Sequence, residues 1–96
     1  MQAAVKAGDP FCVFVCSAYA HHPWDQGRES NFPVGSLKLP PHFIDTPAGR
    51  QAIAKHVAEV EELDRQLGDT AKLLGELELA ENTVLIFLSE QGIAMP

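Results

Sequence analysis

The chain has 96 residues, a net charge of −6, 46% hydrophobic residues and 21% charged residues. A length this short allows one domain or part of one, burying only about 60–65% of the surface exposed when unfolded. The composition is that of a globular protein, and the acidic balance argues against nucleic-acid binding, which needs clustered Lys and Arg.

In chain order, Gln2 to Ala7 reads as the tail of a helix stopped by Gly8 and Pro10. The start "MQAAVKAGDP" has no apolar segment of the kind a signal peptide carries. No apolar run approaches the ~18 residues that cross a membrane. Phe11 to Ser17, "FCVFVCS", is a continuous β-favouring run and predicts a buried strand. Along such a strand Cys12 and Cys16 lie about 13 Å apart. That is beyond the roughly 7 Å a disulfide spans, so two buried free thiols are expected.

Residues 20 to 47 contain five prolines, two glycines and three histidines. A loop of that length is uncommon in a compact domain and is usually functional or wrapped around something larger. Thr46-Pro47 then forms a helix start, a side-chain cap followed by proline in the first helical position. Ile53, Val57, Val60, Leu67, Ala71, Leu74 and Leu77 make one apolar stripe on an amphipathic helix. Gly68 is a candidate bend, and Ala80 to Asn82 a candidate end. Asp64 falls beside the stripe, either at its edge or as a buried, hydrogen-bonded carboxylate. Glu59, Glu61 and Glu62 read as a solvated face. Val84 to Leu88, "VLIFL", predicts a second buried strand running into Ser89-Glu90-Gln91-Gly92.

Strand, long helix and strand predict an α/β fold: a βαβ segment of a larger sheet with helices on both faces. Parallel pairing would bring the polar ends of both strands, Ala20 to Asp25 and Ser89 to Gly92, to one sheet edge, where ligands of such folds bind. Adjacent carboxylate and carboxamide oxygens at Glu90 and Gln91 suit a hard cation such as Ca²⁺. From these residues alone, the simpler reading is an exposed loop carboxylate and a turn cap. His21 and His22 are candidates for a catalytic or metal-ligand role, or solvated loop residues; Trp24 is a packing anchor.

Taken together, three collinear segments resemble the sulfatase family of the alkaline-phosphatase-like superfamily. "DPFCVFVCSAYAHHPWD" resembles its apolar strand leading into a Pro-His-x-Pro-Trp turn. "LPPHFIDTPAGRQAIAKHVAEVEELDRQLG" is similar to its Leu-Pro, Asp-Thr-Pro, Arg and Leu-Asp segment. "LAENTVLIFLSEQGIAMP" resembles its Asp-Asn-Thr, apolar strand and Ser-Asp-His/Asn-Gly segment. "DTPAGR" and "GIAMP" place the likeness nearest the heparan N-sulfatase-like branch.

The resemblance implies cleavage of a sulfate ester or sulfamate on a sugar or aryl group, with a formylglycine nucleophile and Ca²⁺. It gives His21 the role of the histidine that approaches the sulfate and assists the leaving group, and gives Glu90 and Gln91 the role of metal ligands. Ala20 stands where the family has proline; Glu90 and Gln91 stand for Asp and for His or Asn. The Cys/Ser-x-Pro-x-Arg motif that becomes formylglycine is not in this sequence. Residues 1–96 therefore read as part of a catalytic domain, inactive alone, whose partners are a sulfated small molecule or glycan and the rest of that domain, with self-association through exposed apolar faces. The competing readings are a non-catalytic binding module on the same scaffold and another hydrolase of the superfamily. Sulfatases are often periplasmic, secreted or lysosomal; the sequence leaves the compartment open.

Overall fold

A computed structural model describes residues 2–89. The chain is mostly helix and loop: helix α1 spans Gln2–Ala7 and helix α2 spans Pro47–Glu76, with short 3-10 turns at Glu29–Asn31 and Ala80–Asn82. At about 1.5 Å per residue, the 30 residues of α2 make a rod of about 45 Å. That rod accounts for most of the 55 Å long axis of the molecule.

Both helices stop by the same device. After α1, Gly8 takes a left-handed φ of 73°. Its N–H reaches the Val5 carbonyl at 3.1 Å, and the Asp9 N–H reaches Ala4 at 3.0 Å. After α2, Glu78 takes a φ of 57°; its N–H reaches Gly75 at 3.0 Å, and that of Leu79 reaches Leu74 at 2.9 Å. This is a Schellman cap, which satisfies the last carbonyls of the helix. Glycine adopts the left-handed position without steric cost, whereas glutamate does so against its Cβ. The cap ends α2 at Glu76, ahead of the Ala80 to Asn82 stop expected from sequence. At the other end the expected start holds: the Thr46 hydroxyl accepts the Gly49 N–H at 3.0 Å, with Pro47 in the first turn.

The βαβ expectation does not hold. Among the described residues there is no strand and no sheet. Phe11–Ser17 and Thr83–Ser89 make no backbone ladder, and apart from the half-buried Phe11 their large apolar side chains are exposed: Phe14 by 87%, Val84 by 84%. Cys12 and Cys16 are exposed free thiols rather than buried ones. The physical reason is that an apolar, β-branched run is only half of a strand. The other half is a neighbour whose N–H and C=O groups complete the ladder, and α2 spends its own backbone groups within itself.

The core lies instead under the long loop. Ile53, Ala54 and Ala58, in the N-terminal half of α2, are buried, and Leu74 is buried near its other end. Of the predicted stripe, Ile53 and Leu74 are buried and Val57, Leu67 and Leu77 half-buried, while Val60 and Ala71 are exposed. The loop is tied down along its length. Arg50 forks onto both oxygens of Asp45, at 2.6 and 2.8 Å. Its remaining terminal nitrogen donates to the Val34 and Leu37 carbonyls, at 2.9 and 3.1 Å. Gln51 donates to Glu29, Asn31 to Glu61, and Ser17 to Gln66. Gly27 sits directly on Ala58, where a Cβ would come within 2.3 Å of the Ala58 carbonyl carbon.

A candidate active-site turn held by Glu59

Among the described residues, Glu59 is the largest side chain to be fully buried, at 1% exposure. One oxygen accepts the Ala20 N–H at 3.1 Å. The other accepts those of Asp25 and Gln26, at 2.8 and 3.1 Å. A buried carboxylate is tolerated only when its oxygens are met by donors, and here the donors are the backbone of the histidine-bearing turn. The solvated-face expectation for Glu59 is thus overturned, whereas Glu61 is exposed and Asp64 lies at the exposed edge.

Ala20 opens the turn with φ 63°, in the left-handed region. Proline, fixed near −65° and lacking an N–H, fits neither this conformation nor the bond to Glu59. The departure from the Pro-His pattern is therefore built into the turn. The His22–Pro23 peptide is cis. Trp24 is half-buried and donates its indole N–H to the Ala20 carbonyl at 3.2 Å.

The two histidines differ. His21 Nδ1 lies 2.7 Å from the His22 carbonyl oxygen. A carbonyl only accepts, so Nδ1 carries the hydrogen, and in the neutral ring Nε2 holds the lone pair. That is the arrangement a proton-transfer group needs. His22 instead packs its ring edge-on against Trp24, with centroids 5.3 Å apart. His21, His22, Asp25, Ser17 and Tyr19 line a cleft of about 400 Å³ with Glu59 at its wall, within the size range of small-ligand sites.

Behind the turn, Trp24 meets His56 of α2 at 5.4 Å. Nδ1 of His56 is buried with no hydrogen-bond partner. Burial pushes this imidazole below its ordinary pKa, partly offset by the charge of Glu59.

Glu90 and Gln91 lie outside the described residues. Among the described residues no group of three or more His, Cys, Asp or Glu side chains is placed to hold a metal ion. The described side chains therefore do not by themselves fit a Ca²⁺, which takes six to eight oxygens.

Glu59 escaped the sequence reading because its neighbours Glu61 and Glu62 disguise it. Two signals were there. Glu59 is eighteen residues from Leu77, about five whole turns at 3.6 residues each, and so lies on the line of the apolar stripe. Ala54 and Ala58 are small residues four apart on the helix, leaving room for a backbone to come close.

No family model matches the chain, and no solved structure matches it. Against curated proteins, it is similar to iduronate 2-sulfatase of Mus musculus, with 30% identity over 90 residues. The match covers 93% of this chain and 16% of that relative, so the chain spans about a sixth of the relative's length. The likeness is to a sulfatase, and it runs through the turn, the loop and α2.

Proposed function

We propose that this chain is a segment of a sulfatase-type hydrolase, and that His21 is its proton-transfer group. The observation that supports it best is the sulfatase likeness across 93% of the chain, joined to a His21 whose Nδ1–H is already committed to a carbonyl. In that role the Nε2 lone pair first takes up a proton from solvent, giving the imidazolium, and passes it to the leaving-group oxygen as the bond to sulfur breaks, a contribution typically worth ~10²–10⁴-fold. The substrate class is a sulfate ester or sulfamate on a sugar. The likeness to an iduronate 2-sulfatase favours the 2-sulfate of an iduronate over the sulfamate that the heparan N-sulfatase-like features favour.

Ca²⁺ and formylglycine belong to the proposal only. Glu90 and Gln91 would supply two oxygens to the ion, and its remaining ligands, like the nucleophile, would come from outside this sequence. Sulfate release measures the reading. The protein encoded by the complete gene should liberate inorganic sulfate from an aryl sulfate or a 2-O-sulfated uronate oligosaccharide. Hydrolysis of a phosphodiester with no sulfate released would establish another hydrolase of the superfamily, and no turnover of either would favour a binding module.

A further inference from the structure

Glu59 accepts three hydrogen bonds from the backbone on both sides of His21, from Ala20 before it and from Asp25 and Gln26 after it. The bond that orients the His21 ring is local, running from Nδ1 to the carbonyl of the next residue. Such a bond exists only while the backbone is bent so that this carbonyl swings back towards the ring. The turn that contains this bend opens at the left-handed Ala20, and its far end is fixed where Gly27 meets Ala58.

We propose that Glu59 is a positioning residue: by pinning both ends of the Ala20–Gln26 turn, it holds His21 in one neutral tautomer, with Nδ1 protonated and Nε2 left to exchange a proton at the cleft. The clamp is stiff because it is mutual. If the turn lifts, a buried carboxylate loses its donors, and if the carboxylate is lost, backbone amides lose their acceptor. The use made of Nε2 rests on the sulfatase-type reading; the tautomer does not.

The test is two-bond ¹⁵N–¹H NMR of the His21 ring in the full chain, above the histidine titration range, for wild type and Glu59→Gln. Hydrogen exchange at the Ala20, Asp25 and Gln26 amides of the wild type accompanies it. The expected result is a pyrrole-type Nδ1 and pyridine-type Nε2 in the wild type, with these amides protected. In Glu59→Gln the Nε2-protonated form should rise several-fold while helical circular dichroism is kept. The proposal is overturned by a wild-type His21 that already mixes both tautomers, by open-loop exchange at those amides, or by a folded Glu59→Gln with an unchanged tautomer. Should Glu59→Gln not fold, the wild-type spectrum and exchange rates still decide. A protein without sulfatase activity would remove the assigned use of Nε2 and leave the tautomer result standing.

Discussion

Glu59 and Ala20 are 39 positions apart in sequence, yet Glu59 Oε2 accepts the Ala20 N–H at 3.1 Å, from a residue held at φ 63°. A buried charge and a strained backbone position thus meet in one bond, and the turn carrying His21 depends on both. The strain of a non-glycine residue in that region is of order 1–2 kcal/mol, and the bonds to a buried carboxylate outweigh it.

Removing the carboxylate leaves three amides without their acceptor. Glu59→Ala should therefore cost about 2–4 kcal/mol in urea denaturation. Glu59→Gln should cost less, because one carbonyl oxygen can still take Asp25 and Gln26 while its NH₂ opposes the Ala20 N–H. Equal stability of Glu59→Ala and wild type would show that the turn is not held by Glu59.

At Ala20 the two substitutions run in opposite directions. Ala20→Gly relieves the left-handed strain and should raise stability by up to about 1 kcal/mol. Ala20→Pro restores the residue of the sulfatase pattern, but removes the N–H and forbids the observed φ, so its melting temperature should fall. A more stable Ala20→Pro would contradict the turn described here.

Glycine chemistry at two other places gives a matched pair. Gly27→Ala drives a Cβ to 2.3 Å from the Ala58 backbone and should lose about 1–3 kcal/mol, since backbone cannot step aside cheaply. Glu78→Gly places glycine in the cap that already uses it at Gly8, and should gain about 1 kcal/mol. Thermal melts of the two variants should shift in opposite directions.

The lowered His56 pKa gives an acid-side stability limb. The unfolded chain, with His56 at its ordinary 6.5, takes up a proton before the folded one does. The contribution is thus fully present above 6.5 and is lost as pH falls below that value towards the folded one. His56→Phe keeps a ring against Trp24 and should flatten this limb. Asp45 acts in a separate window: its hydrogen bond to Arg50 lowers its pKa from 3.8, so that contribution is lost only in stronger acid. An unchanged limb just below 6.5 in His56→Phe would show that His56 does not titrate as described.

Local signals in the sequence translated directly into local structure. Thr46-Pro47 starts α2 and Gly8 ends α1, because caps depend on residues a few positions away. The apolar runs around Phe14 and Ile86 did not become strands, because a ladder depends on a partner that the run itself does not encode. Glu59 was misread for a related reason. Its burial comes from a loop that starts 39 residues earlier and folds back over α2, and charge alone predicts solvent. The resemblance singled out His21 over His22; the carbonyl that selects the His21 tautomer was not legible in the sequence.

The central claim is that His21, not His22, transfers the proton, and kcat/KM for sulfate release by the complete protein tests it most directly. With folding of each variant checked by thermal melting, His21→Ala should lower kcat/KM by about 10²-fold or more. His22→Ala, which removes an edge contact with Trp24 and part of the cleft wall, should lower it by a few-fold. A well-folded His22→Ala more damaging than His21→Ala would contradict the account.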